Sequence, residues 1–424
     1  MIRVPERDTT ERFVSANILY PIDRSPCTAD RFPCLPENSA AASPEWRSVM
    51  RFLASSSRVR IIIASLAAAA AVVVAGCAPP SSSESGGGAA VASGANGAAR
   101  SAPGDITPYC PSEPTKIVFI KSAGGQVWSA IANAEFEAEA AKCPNIQASW
   151  YNGTSGVQGA IAATNAAVAQ GAKALVVIAD FGAAQLPSLR KAVQSGVTVV
   201  TTVSDGGAQK GTDVSDSLLW DVNSIGENQA KWLNDHVKTG KVAFLGGQPG
   251  APSTQTTFDA FKAALTKYAP GVQLVPDTWV PTNWDGAQKR RAVAGLIAQN
   301  GDYAAFVSDY GASDIGAVQA VLDAKATMPA FLNIGSSQGF VCTVKQNNIQ
   351  WFGQDGSTRM TASALRIALA DMQDEPSAEP NPYVLFTYAD TAAGKMPECD
   401  PSVSPDADLS SSLSVADLKK VLGG

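Results

Sequence analysis

Seven loops of this 424-residue chain collect the residues best able to hold a small molecule. They are SAGGQVW (Ser122–Trp128), SDGG (Ser204–Gly207), GQPGAPSTQ (Gly247–Gln255), TNWDG (Thr282–Gly286), SDYGASD (Ser308–Asp314), GSSQG (Gly335–Gly339) and GQDGSTR (Gly353–Arg359). Ordinary turn chemistry accounts for their Gly, Ser, Asp and Asn. It does not account for Trp128 and Trp284, large apolar surfaces in otherwise polar loops. Contact with a ligand is the expectation for both, with core or hinge packing as the alternative. Bond-breaking chemistry finds less support. Gly335–Gly339 satisfies the G-x-S-x-G nucleophile-elbow pattern, which needs a histidine later in the chain. The sole histidine, His236, comes earlier. It lies near a helix C-terminus, where a histidine interacts favourably with the helix end. One histidine also excludes a multi-histidine metal centre. The glycine-rich run GKVAFLGGQPGAPST lacks the GK[ST] of a phosphate loop. No catalytic residue, metal or cofactor is expected.

The elements that must position these loops alternate between strand and helix. KIVFI (Lys116–Ile120), QASWY, ALVVIA and VTVVTTV read as buried strands. Between them run helical stretches at Gly156–Gln170 and Ala183–Ser195, closed by Gly171 and Gly196. The first helix carries Val127, Ile131, Ala134, Ala138 and Ala141 on one stripe, with Glu135, Glu137 and Glu139 off it. The rhythm restarts after Asp221, with helices predicted at Ile225–Lys238, Thr257–Tyr268, Asp285–Gln299, Ile315–Ala324 and around Cys342. Strands KVAFLGG, VQLVPDTW, YAAFVSD, AFLNIG and IQWFGQ are interleaved with them. Such alternation gives parallel sheets covered by helices on both faces. Two series predict two similar α/β lobes, with ligands at the carboxyl ends of the strands.

The net charge of −6 and the lack of any basic block exclude nucleic acid as an expected partner. Upstream of the alternating region, Arg51, Arg58 and Arg60 precede the apolar run Ile61–Val74 and the small residues Ala75 and Gly76, the three parts of an export signal. A membrane-spanning helix is the alternative, but it needs about 20 apolar residues. Translation is expected to begin at Met50, with residues 1–49 a start-site artefact and 50–76 the signal. Val74-Ala75-Gly76-Cys77 resembles the lipobox of bacterial lipoproteins, which implies lipidation of Cys77 and a flexible tether over 77–114.

From Thr115 to Tyr388 the order of elements resembles that of periplasmic sugar-binding proteins of the ribose-binding type (type I), which feed ABC importers. The resemblance implies two Rossmann-like lobes joined by three hinge crossings. Residues 115–221 with 355–383 would form the first lobe, and 222–354 with 384–424 the second lobe and tail. It implies a monomer held by its lipid on the extracytoplasmic face of the cell membrane, with an ABC permease as partner. Carried over by position, it implies ligand contacts from Gly125, Gln126, Trp128, Asp205, Gln255, Trp284, Asp285, Asp309, Ser336 and Gln354. Gln255 stands where several relatives have arginine, and an aspartate frequent in the family near Ser336 is missing. The residue chemistry agrees with a neutral sugar or polyol: aromatic rings cover apolar C–H faces, while Asp and Gln pair with hydroxyls that both donate and accept. A receptor that senses a sugar-like signal or a nucleoside is the alternative function.

Four cysteines remain in the folded region, Cys110, Cys143, Cys342 and Cys399. An even number in an oxidising compartment favours disulfides over buried thiols. By the lobe assignment that the resemblance implies, pairing Cys110 with Cys143 and Cys342 with Cys399 keeps each bond within one lobe.

Overall fold

The computed structural model describes residues 102–423 except 122, 124–126 and 154. The expected signal, Cys77 with its expected lipid and most of the expected tether lie outside the described residues. The first sheet comprises β1 (Thr115–Lys121), β2 (Ile146–Asn152), β3 (Ala174–Ile178), β4 (Thr198–Thr202) and β5 (Asp216–Leu218). Their order is β2-β1-β3-β4-β5, every pair parallel. Helices α1 (Val127–Ala140), α2 (Gly156–Ala169) and α3 (Leu186–Gln194) connect them. As strands buried on both faces require, β1 and β3 are almost continuous runs of Ile, Val, Leu and Phe.

The second sheet begins after α4 (Val222–Trp232). It contains β6 (Gly240–Gly246), β7 (Val272–Leu274), β8 (Val280–Pro281), β9 (Ala305–Ser308), β10 (Ala330–Ile334), β11 (Trp351–Asp355) and β12 (Phe386–Asp390). The order is β12-β11-β10-β9-β6-β7, with β8 also on β6 and β12 antiparallel. Its helices are α5 (Pro252–Tyr268), α6 (Gly286–Asn300), α7 (Ile315–Ala324) and α8 (Gln338–Asn347). The strand expected over VQLVPDTW is shortened to β7, since Pro276 has no N–H to give to a ladder, and β8 begins just beyond it. After β11 the chain returns to the first lobe as α9 (Met360–Asp371), which packs on α1, β3 and β4.

The lobes are therefore joined at 219–221, at 356–359 and at 383–385. The first and third crossings pair directly: Asp221 N–H donates to the Tyr383 carbonyl (2.9 Å) and Tyr383 N–H to that of Leu219 (2.8 Å). A fourth link comes from the tail. Residues 384–424 are expected in the second lobe, yet α10 (Val415–Leu422) packs on α1, with Leu418, Val403 and Ala407 against Ile131. Disulfides join Cys110 to Cys143 and Cys342 to Cys399.

The helix α1 departs from its expected stripe. Glu135 and Glu139 are 2 % and 5 % exposed, while Ala138 faces outward. The helix is covered from more than one side, and its buried carboxylates have partners on other elements. Ser412 of the tail donates to Glu135 through its N–H (2.5 Å) and its hydroxyl. Arg366 of α9 bridges Glu139 (3.0 Å) and Glu379 (2.7 Å). Removing one member of a buried ion pair leaves an uncompensated charge, which costs about 3–5 kcal/mol. Arg366→Ala should accordingly lower stability by about 3 kcal/mol, read as a fall in the urea midpoint with an unchanged slope.

Candidate functional site

The carboxyl ends of both sheets meet around a cavity of about 60 Å³. From the first lobe come Lys121 at the end of β1, Asp180 just past β3, Val203 past β4 and Trp128 on α1. From the second come Ser253 at the start of α5, Trp284 before α6, Asp309 and Tyr310 past β9, and Gly335 past β10. Trp220 and Ser357 enter from two of the crossings. Lys121 is 6 % exposed and gives its ammonium to both oxygens of Asp180 (3.0 and 3.1 Å) and to the Ala123 carbonyl (3.1 Å). It also lies 5.9 Å from the centre of the Trp284 ring in the opposite lobe, within cation–π range.

Each aromatic is set by a specific constraint. Trp128 donates its indole N–H to Ser357 Oγ (2.9 Å), and Trp284 donates to Asp309 Oδ1 (3.1 Å). Asn283 and Trp284 have φ of +51° and +55°, left-handed geometry that non-glycine residues adopt at a cost of about 1–3 kcal/mol. This turn lays the indole over Gly247, where an added Cβ would fall 2.1 Å from the ring. Asp285 caps α6 by accepting from Gln288 N–H (2.8 Å). Asp309 is held from its other side by the hydroxyl of Thr254, which itself accepts from Gly247 N–H (3.0 Å). Trp220 Nε1 is buried without a partner among the described residues, on a residue that lines the cavity.

Among the expected contacts, Trp128, Trp284 and Asp309 line this cavity. Asp285 and Ser336, with the same two tryptophans, line a larger chamber beside it. Gly125 and Gln126 lie outside the described residues. Asp205 closes its own turn by accepting from Gly207 N–H (2.8 Å), and the acid presented instead is Asp180 of the neighbouring strand end. Gln255 sits on the exposed face of α5, accepting from Trp279 Nε1 (3.0 Å) and donating to Asp259 (2.8 Å). Gln354 is 1 % exposed on β11 and lines neither cavity. Lys121, Asp180 and Trp220 lie outside the loops expected to hold a ligand, while Ser253, Tyr310 and Ser357 lie within them but were not singled out. Asp180 ends a strand as Asp205 nearly does, and position after ALVVIA was the available signal for it. The serine of the G-x-S-x-G pattern, Ser337, caps α8, accepting from Phe340 N–H (3.3 Å). His236 packs on Trp232 with ring centres 4.9 Å apart. Among the described residues no group of three His, Cys, Asp or Glu could hold a metal ion.

Lys121 and Asp180 neutralise each other, and no arginine lines the cavity. The remaining charge is Asp309, 7 % exposed, whose carboxyl burial pushes up from 3.8 to about 6. The Thr254 hydroxyl, Lys289 and the Trp284 N–H oppose the rise, and Asp314 adds to it. A folded-state value above the unfolded one means that the native protein holds its proton more tightly. Stability is then lost as pH rises from about 4 through about 6, a rise worth about 3 kcal/mol in full. Asp309→Asn cannot ionise. Its melting temperature should gain on the parent across that window and run parallel to it above about pH 7.

Several solved structures share the fold. A periplasmic solute-binding protein of an ABC transporter from Actinobacillus succinogenes, with bound D-allose, superposes with a TM-score of 0.54 at 18 % identity, over 65 % of this chain and 96 % of that one. The arabinose-transporter binding protein of Shewanella sp. ANA-3, bound to L-arabinofuranose, gives 0.57 at 18 % identity over 66 % and 94 %. A solute-binding protein from Burkholderia graminis in complex with D-arabinose gives 0.59 at 15 % identity over 65 % and 96 %. No curated protein sequence matches significantly. The family model described as periplasmic binding protein domain matches residues 117–375, more than half of the chain. With its two helix-covered parallel sheets meeting at their carboxyl ends, the chain belongs to the periplasmic binding proteins, a solute-binding family of the type I fold.

Proposed function

We propose that this chain captures a sugar or sugar-like polyol between its lobes outside the cytoplasm and delivers it to an ABC permease, with no catalytic step of its own. The inter-lobe cavity carries the reading. Trp128, Trp220 and Trp284 offer apolar faces, Trp220 adds an N–H without a partner among the described residues, Asp180 and Asp309 offer acceptors, and the charge of Lys121 is already balanced. A neutral ring with C–H faces and hydroxyls satisfies that set, whereas a carboxylate or phosphate would favour arginine. The sugars bound in the structural neighbours point the same way. At about 60 Å³ the cavity has room for few water-sized groups, so a sugar enters when the lobes part about the crossings.

Calorimetry of the mature protein with D-allose, D-arabinose, L-arabinose, D-galactose and a nucleoside series tests the reading. A sugar should bind and alter tryptophan fluorescence. A hydrogen bond to a buried carboxylate is worth about 1.5–3 kcal/mol, so Asp309→Ala should weaken binding about tenfold to a hundredfold. Gly247→Ala should also weaken it, by pushing the Trp284 ring off its seat. Binding of nucleosides alone would overturn the sugar assignment.

The tether belongs to the same proposal. Its support is the apolar run ending at Val74-Ala75-Gly76-Cys77. Several acyl chains on one terminal cysteine would anchor the protein stably where one would not. Cys77→Ser should move the protein from the membrane fraction to the soluble one or leave an uncleaved precursor. A variant processed and membrane-bound like the parent would refute the anchor.

A further inference from the structure

Behind the aromatic wall of the inter-lobe cavity lies a second chamber of about 830 Å³. Trp128, Trp284 and Tyr310 line both spaces. The chamber is bounded by α1 of the first lobe, by the starts of α6 and α7 and the loop before α8 of the second, and by Asp406 and Asp408 of the tail. Its volume falls within the roughly 300–1,000 Å³ of small-molecule sites, whereas the first cavity falls well below it. One side chain points to an occupant. Ser336, 6 % exposed, lines the chamber, and its buried hydroxyl has no partner among the described residues. An unpaired buried hydroxyl is unfavourable, and a ligand hydroxyl reaching it from the chamber would supply the missing partner.

The remaining lining defines the class of occupant. Arg291 makes no ion pair among the described residues and supplies donors. Asp285 and Asp406 supply acceptors, while Ile131 and Ile315 supply apolar surface next to the shared tryptophans. Charges of both signs face the chamber, which gives an anionic group no advantage. Interleaved donors, acceptors and aromatic faces again suit a polyhydroxylated ring.

Resting on the sugar-binding reading, we propose that the ligand is longer than one sugar ring: a disaccharide or glycoside whose first ring lies between the lobes and whose second unit fills the chamber behind Trp128, Trp284 and Tyr310. The shared wall makes this geometrically direct, because a glycosidic link passing the tryptophan edges would place one unit in each space. Monosaccharides then use only part of the available contact.

Calorimetry on the mature protein tests this with D-galactose and L-arabinose, their homodisaccharides and their 4-nitrophenyl glycosides. At least one extended probe should bind about tenfold or more tightly than its own monosaccharide. Ala312→Leu, which fills chamber volume without touching the inter-lobe cavity, should remove that gain and leave monosaccharide affinity within about twofold. Should that variant not fold, Arg291→Ala, an exposed position, should reduce affinity for the extended probe alone by about fivefold. Monosaccharides that bind as tightly as every extended probe, or variants that weaken both classes equally, would overturn this inference and leave the sugar-binding reading standing. Failure of every sugar, short or long, would overturn both.

Discussion

One fully buried lysine organises the cleft wall of the second lobe. Lys289 on α6 is 0 % exposed and gives its ammonium to the Ser308 hydroxyl (2.6 Å), the Tyr310 carbonyl (2.6 Å) and the Asp314 carboxylate (2.5 Å). Asp314 accepts in turn from Asn333 (3.0 Å), and Asn333 accepts from the Trp351 indole (2.8 Å). The network ties α6 to the ends of β9 and β10 and to the start of β11. A buried charge is tolerated only when its partners are complete, so these strand ends have little freedom to move independently. Asp309 and Tyr310 lie inside this frame, and Trp284 precedes by five residues the lysine that holds it.

The position of Trp284 is thus determined twice. The Lys289 network fixes α6 from inside the lobe, and the Asp285 cap fixes where the helix begins. The chain just upstream must then take left-handed backbone at Asn283 and Trp284 to reach Gly247, where only a glycine leaves room for the ring. Strain of this kind persists where surrounding structure over-determines it. The result is an aromatic face pre-set at the junction of the two cavities, so little side-chain entropy remains to be lost on binding. Lys121 and Asp180 play the corresponding part in the first lobe, presenting a locked donor–acceptor pair across the gap.

The sheets were legible because ALVVIA carries no polar residue that could suit an exposed face and AFLNIG only one, Asn333, and because Gly171 and Gly196 mark helix ends with φ of +80° and +78°. Trp128, Trp284 and Asp309 were legible for a related reason: each follows a strand signal closely enough for its register to survive. Asp205 was not, since the turn after β4 consumes its carboxylate locally. Lys121 and Trp220 were hidden by opposite causes. Lysine at a strand end reads as a solvated terminus, and its burial depends on Asp180, 59 residues away. Trp220 lies in a crossing, where no periodicity exists to place it. The buried glutamates of α1 show the same limit. Their partners Ser412 and Arg366 come from the far end of the chain, so a helical stripe computed locally assigns them to water.

The tail poses a mechanical question, because a fourth link between lobes could resist the lobe movement that the proposed capture requires. Its attachments answer it. On the second lobe it holds the start of α8 through Gln338 N–H to the Ala407 carbonyl (2.8 Å) and Gly339 N–H to that of Pro405 (2.7 Å). On the first lobe it holds α1 through Glu135 and the Leu418 cluster. Between these points it is fastened to the crossing itself. Gly356 N–H donates to the Ser410 hydroxyl (3.0 Å), and the Arg359 guanidinium donates to the Ser410 carbonyl (2.7 Å). A strap pinned beside a rotation axis changes length little as the bodies rotate, so the tail can follow closure instead of opposing it. Both disulfides respect the same rule, each lying within one lobe. The carboxyls of Asp355 and Asp408, buried where strap and crossing meet, are both pushed up by desolvation, and the charge of Asp408 raises Asp355 further. Two like charges facing each other in a dry site are costly, and both shifts run in the direction that avoids them. The Gly356 and Ser410 N–H groups, donating to Asp355 (2.8 Å) and Asp408 (2.8 Å), fasten the two carboxyls to the pivot.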